Sequence, residues 1–209
     1  ANPNNPTSTY LNQNELKLLL SKVPRNIVVG IDTAYEEFAD SKDYDKSFSL
    51  ADEYKNVIIT RTFSKAYSLA GLRLGWGYAN ESLINIIKKL RPPFNLPPGA
   101  IAAGISALND EKHLNKVVNH NSNIKLWFID ELNNLGFKAY KTQTNFIFVI
   151  IPEKKNQTAS LINDYLISKG IAVRYLLSYG LKNALRITLG TKKELSKTLE
   201  ALKEFVKND

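Results

Sequence analysis

Lys65 has the clearest chemical potential in this chain. It stands in RTFSKAYSLAGLR, where the apolar run 57–60 empties into small and hydroxylated neighbours. A lysine at the mouth of a strand is partly desolvated, and its amine then sheds a proton more readily and attacks carbonyl carbon. Composition argues the other way: 22 of the 28 basic residues are lysines, and most lysines are solvated surface charges. Asp32 directly follows the run 27–31, and a carboxylate at the end of a buried strand is costly unless paired. A protonated ring nitrogen is one such partner. A capping role at a strand-to-helix turn is the alternative. Ser64 offers a hydroxyl and Arg73 a planar fork of donors, both suited to a phosphate. Asn5 lies in NPNNPT, where its amide can donate to a ring oxygen and its bond to Pro6 is a candidate cis bond. Each is weak alone, and only together do they describe a site.

These residues require strands that end near one another. Residues 27–31 and 57–60 are continuous apolar, β-branched runs, as expected of strands buried on both faces, and they suggest a parallel sheet with ligand groups at its strand ends. Between them lies a polar connection with Asp40, Asp43 and Asp45. A short helix over 14–22, stopped by Pro24, comes before, and a glycine-bearing strand over 71–77 and helices over 81–90 and 99–108 come after. From about Asp110 the character changes. A long polar helix over 112–135 leads into strands at 137–140, 146–151, 171–175 and 185–189, with helices at 159–169 and 193–206. The pattern predicts an α/β protein with two domains, 1–110 and a smaller α+β domain over 111–209 that includes the long linking helix.

With 209 residues the chain is long enough to bury roughly 70% of its unfolded surface. It has no cysteine, so disulfides and thiolate metal ligands are excluded. His113 and His120 are too far apart along one helix to share a metal, and no metal site is expected. No run reaches the ~18 apolar residues of a spanning helix, and the expected location is the cytoplasm. The net charge of +8 is spread over single lysines and pairs (Lys88 and Lys89, Lys154 and Lys155, Lys192 and Lys193), which argues against nucleic acid and for an attraction to small anions.

In chain order, Asn5 in NPNNPTS, Asp32 and Tyr35 in DTAYEEF, and Ser64, Lys65 and Arg73 in RTFSKAYSLAGLR resemble the signature of fold-type-I, pyridoxal-phosphate-dependent aminotransferases of class I and II. NPNNPT, TFSKAY, AGLRLG, RPPFN at 91–95 and LRITLGT at 185–191 are most similar to the histidinol-phosphate aminotransferase group. The resemblance implies part of the large-domain mixed sheet with flanking helices, followed by the small domain. It implies that Lys65 bonds pyridoxal 5'-phosphate and shuttles a proton, that Asp32 pairs with the pyridinium nitrogen, and that Asn5 and Tyr35 donate to the phenolic oxygen. Ser64 and Arg73 would bind the cofactor phosphate, and Arg174 and Arg186 the anionic end of the substrate. For Arg174 a surface role at a strand end is the alternative.

The implied reaction exchanges an amino group between glutamate and imidazole-acetol phosphate, giving 2-oxoglutarate and histidinol phosphate, in a homodimer. Another amino-acid transaminase, a threonine-phosphate decarboxylase, or a catalytically silent assembly piece are the alternatives. Three residues depart from the family pattern: Ser8 and Ser68 replace glycines, and Thr33 replaces a glutamate. The NPNNPT turn lies well inside the chain in that family, so these residues are expected to be the C-terminal portion of a longer enzyme.

Overall fold

The computed structural model describes residues 1–44, 46–154 and 156–207. Asp45 of the polar connection and Lys155 of a lysine pair lie outside the described residues. The chain packs as two compact units, Ala1–Asn4 with Thr9–Asn119, and Asn5–Ser8 with His120–Asp209. The division expected after residue 110 therefore falls further on, inside the long helix, and the NPNNPT turn is shared out between the units.

The first unit opens with α1 (Gln13–Lys22), whose start is fixed by a reciprocal cap: Asn12 accepts from the Glu15 amide while Glu15 accepts from the Asn12 amide. Next come β1 (Val29–Asp32), α2 (Phe48–Glu53), β2 (Val57–Thr62), β3 (Gly75–Ala79), α3 (Glu81–Leu90) and α4 (Pro98–Asn109). β1 and β2 are parallel, with Asp32 opposite Thr60, and β3 runs antiparallel on the other side of β2. Leu16 and Leu20 of α1, Leu50 and Ala51 of α2, and Ile31, Val57 and Ile59 of the sheet form its core.

Two expectations are corrected here. β1 is not buried on both faces: Ile31 is buried, whereas Ile27 and Val28 before the strand are 49% and 54% exposed. Among the described residues β1 bonds to β2 on one side, and α1 and α2 cover one face. The strand expected over 71–77 begins later, because Ala70–Leu72 form a 3-10 turn and Arg73 takes a left-handed conformation (φ 52°) that cannot continue a pleat.

The second unit receives α5 (Glu111–Asn134), which bears the division between the units, and continues with β4 (Lys138–Ala139), β5 (Phe146–Ile150), α6 (Ala159–Ser168), β6 (Arg174–Tyr175), β7 (Ala184–Thr188) and α7 (Lys192–Lys207). Its sheet is antiparallel in the order β4, β5, β7, β6. Phe128 and Leu132, Ile147 and Val149, Ile162, Leu185, and Leu199 and Leu202 close a core between the sheet and its helices. Among the described residues no helix is long and apolar enough to cross a membrane.

Candidate active site

The residues singled out from sequence gather into one cluster in each unit. In the first, β1 and β2 are parallel and so end on the same edge of the sheet, delivering Asp32 at one strand end and Ser64 and Lys65 just beyond the other. That edge is where ligands bind in open α/β sheets. The Lys65 amine is half-buried and lies 5.3 Å from the centroid of the buried Tyr35 ring. Asp32 is exposed, not buried as its position suggested, and its carboxylate accepts from the Ala34 amide. That bond is an Asx-type turn, and it orients Asp32 without consuming all of its acceptor capacity. Thr33 is fully buried and donates its hydroxyl to the Thr60 carbonyl, a bond tying the end of β1 to β2.

Beyond Lys65 the loop turns back: the Ser68 amide donates to the Lys65 carbonyl, and the exposed Arg73 donates from Nη1 to the Ala70 carbonyl. The amide of Ser64 donates to the Thr62 hydroxyl. Ser68 is exposed at φ 59°, in the left-handed region where a Cβ is unfavourable. Ser68→Gly is therefore expected to stabilise the protein by about 1 kcal/mol, read as a raised thermal midpoint.

Beneath this edge is a charged cluster that sequence reading did not single out. Arg61 of β2 donates through Nη1 to Glu36 (2.5 Å) and through Nη2 to Glu37, both in the 3-10 turn that follows Tyr35. All three side chains are nearly buried. The guanidinium also lies 5.4 Å from the Trp76 ring centroid and 5.7 Å from that of Phe48, two rings stacked almost parallel. One cation facing two carboxylates cannot compensate both. Burial pushes the Glu36 carboxyl above its ordinary range, with Arg61 opposing and Glu37 reinforcing the rise, while Glu36 Oε2 has no hydrogen-bond partner. Arg61 goes up despite its own burial, because two carboxylates favour its charge. β3 presses close here: a Cβ on Gly75 would lie 2.7 Å from the Arg61 carbonyl oxygen. The cluster's only sequence signal was an arginine on an otherwise apolar strand.

The second unit holds Asn5, Arg174 and Arg186. Arg186 of β7 pairs in register with Arg174 of β6 and with Phe148 of β5, so all three share one face of the sheet. Arg186 donates from Nη1 to Asn5 Oδ1 (2.6 Å), and its guanidinium carbon lies 5.0 Å from the centroid of the Phe146 ring. Its Nε is buried with no hydrogen-bond partner. Two guanidinium groups on one face, one with an unsatisfied buried donor, are chemically suited to an anion. Asn5, expected beside a ring oxygen, thus has its carbonyl oxygen committed to Arg186, and its Nδ2 is the side-chain donor. Both the Asn2–Pro3 and the Asn5–Pro6 bonds are cis.

The chemistry of these groups fits pyridoxal phosphate function by function. An amine would suit the aldehyde, a carboxylate the ring nitrogen, a phenol the phenolic oxygen, and a hydroxyl with a guanidinium the phosphate. The family profile described as aminotransferase class I and II matches residues 1–202. The histidinol-phosphate aminotransferase of Maricaulis maris is 39% identical over 174 residues, which are 83% of this chain and 48% of the relative. That of Paramagnetospirillum magneticum is 41% identical over the same shares of the two chains, 83% and 48%. Among solved structures, histidinol-phosphate aminotransferase from Sinorhizobium meliloti in complex with pyridoxal-5'-phosphate matches with a TM-score of 0.90 at 29% identity, covering 99% of this chain and 56% of that one. The chain spans about half the length of the relatives it matches.

Proposed function

This chain belongs to the class I and II aminotransferase family, and we propose that it carries the lysine-bearing part of a transaminase site that uses pyridoxal phosphate to move an amino group between glutamate and imidazole-acetol phosphate. The observation that carries this reading is the placement of Asp32, Tyr35, Ser64 and Lys65 at one edge of the β1–β2 pair, with the Lys65 amine against the Tyr35 ring. When bound, the cofactor supplies an electrophilic aldehyde carbon and a ring that takes up the electron pair released at the substrate's α-carbon. Lys65 Nζ would hold the aldehyde end, and its amine would serve as the base for the proton on the substrate's α-carbon. The Asp32 carboxylate keeps the ring nitrogen protonated. The Tyr35 hydroxyl would donate to the phenolic oxygen, and Ser64 and Arg73 would bind the phosphate; Asn5 Nδ2 is a side-chain donor within the second unit.

Arg174 and Arg186 bind the anionic end of the substrate, a phosphate in one half-reaction and a carboxylate of glutamate in the other. The similarity to histidinol-phosphate aminotransferases at 39% and 41% identity supports that substrate pair. Ile86, Leu90, Phe94, Ile101 and Ile105 expose apolar surface on α3, the turn after it and α4, which supports a homodimer. To test the assignment, the protein is incubated with pyridoxal phosphate, reduced with borohydride and mapped by peptide mass. Modification of Lys65 is expected, and modification confined to other lysines refutes it. Steady-state assays with histidinol phosphate, aromatic amino acids and threonine phosphate rank the substrates, with histidinol phosphate expected to give the highest kcat/KM.

A further inference from the structure

The Arg186 guanidinium rests on two supports in its own unit, Asn5 Oδ1 and the Phe146 ring, and a cluster of hydroxyls links Ser8, at the end of the Asn5 turn, to the backbone of Phe146. Ser8 closes the short turn that begins at Asn5. Its side chain is buried, and its Oγ lies 2.7 Å from Thr142 Oγ1. Thr142 is also buried, and its hydroxyl lies 2.6 Å from the Phe146 carbonyl; the Thr144 hydroxyl joins the cluster, 2.8 Å from Thr142 Oγ1, 3.3 Å from Ser8 Oγ and 3.1 Å from the same carbonyl. Ser8 Oγ in turn accepts from the Gln143 amide (2.8 Å). The 142–144 loop is gripped from α5, where buried Asn121 donates to the Thr144 carbonyl (3.1 Å) and buried Lys125 to the Thr142 carbonyl (3.3 Å). Ser8 makes these bonds at φ 59°, a conformation that glycine would adopt without strain. The hydroxyl is thus present at a position where backbone geometry alone disfavours it.

We propose that Ser8 and Thr142 are positioning residues for the anion site: their hydroxyl relay fixes the Asn5 turn and Phe146 to one scaffold and so holds Arg186 ready for a phosphate. This rests on the proposed anion-binding role of Arg186. The relay fits a pre-organised guanidinium, whose ordering cost is met in folding and not at binding. Loss of a relay hydroxyl loosens the Asn5 turn against β5, and the guanidinium loses its aim while keeping its charge.

The test measures inorganic phosphate affinity by NMR titration of the protein, following the Arg186 Nε–H resonance, with the thermal midpoint recorded in parallel. Thr142→Val keeps the side-chain shape and is expected to weaken phosphate binding about tenfold, while Thr142→Ser stays within about twofold of the parent. Ser8→Gly discriminates most sharply, because it relieves the backbone yet removes the hydroxyl. It is expected to lose affinity about tenfold and to shift the Nε–H resonance whatever happens to its midpoint. Parent-like affinity and an unmoved Nε–H signal in Ser8→Gly overturn the proposal, and they do so even if Thr142→Val fails to fold. If Arg186→Gln binds phosphate as well as the parent does, the anion reading itself falls and takes this inference with it. Loss of binding in Arg186→Gln but not in Ser8→Gly or Thr142→Val leaves that reading standing and overturns the relay alone.

Discussion

Arg61→Ala is expected to destabilise the protein by about 3–5 kcal/mol, measured by denaturant unfolding followed by circular dichroism. The size follows from what the substitution leaves behind. Glu36 and Glu37 lose their shared cation while staying in a site where their side chains are 1% and 7% exposed, and two uncompensated carboxylates face each other. The Phe48 and Trp76 rings lose the guanidinium packed over them as well. Arg61→Lys keeps the charge but cannot reach both carboxylates in a fork, so an intermediate loss is expected. Adding Glu37→Gln to Arg61→Ala recovers part of the stability, because it removes one of the stranded charges. If Arg61→Ala costs under about 1 kcal/mol, the cluster is not the buried ion network described above.

The same cluster fixes a pH dependence. The folded-state pKa of Glu36 is raised, chiefly by burial. A raised acid binds its proton more tightly folded than unfolded, so its contribution to stability is full below the ordinary glutamate range near 4.5 and is lost as pH rises through the higher folded value. Glu36→Gln cannot lose a proton. Its stability relative to the parent is therefore expected to improve as pH is raised from about 4 towards neutrality and then to level off, in matched unfolding curves across that range. A constant difference at all pH values contradicts the raised carboxyl.

Lys65→Ala is expected to abolish borohydride-fixed incorporation of pyridoxal phosphate and to lower kcat/KM by at least about 10³-fold, since it removes both the covalent anchor and the base. Lys65→Arg keeps a cation near the Tyr35 ring but offers no free amine, so it is expected to be as inactive. If Asp32, Ser64 and Arg73 bind the cofactor as proposed, noncovalent binding is expected to persist in both variants, and equilibrium dialysis separates the two effects. Unfolding midpoints close to the parent's are expected, because Lys65 is half-buried at a loop and belongs to neither core. Retained turnover in Lys65→Ala removes the central premise of the site.

Much of the framework was legible because periodicity and breakers are local signals. The helix over 81–90 matches α3 at both ends, and the runs 57–60 and 146–151 reappear as β2 and β5 with small shifts at their ends. The misses have a common physical cause. Whether β1 is covered on both faces depends on neighbours that its own residues do not encode, and an apolar β-branched run reads the same at an edge as in the middle of a sheet. The short α2 and the 3-10 turn Glu36–Phe38 escaped because one or two turns carry too little periodicity to be read. Lys65 and Asp32 were singled out by type and position, and Tyr35 by the resemblance of its motif. Arg61, Phe146 and Thr142 were not, since their importance comes from partners distant in sequence. The glycine replacements at Ser8 and Ser68 looked alike in sequence, yet one hydroxyl is buried in a relay and the other residue is exposed.

The register that sets Arg174 opposite Arg186 has a thermal consequence. Like charges directly across an antiparallel pair repel, and nothing in the strand pattern of this sheet requires either of them to be basic. The two guanidinium groups therefore repel, an effect that the exposure of Arg174 and mobile salt both reduce. A bound phosphate would relieve it twice, once through its own contacts and once by cancelling the repulsion. If the pair binds phosphate as proposed, added phosphate is expected to raise the melting temperature of the protein, and more so at low salt.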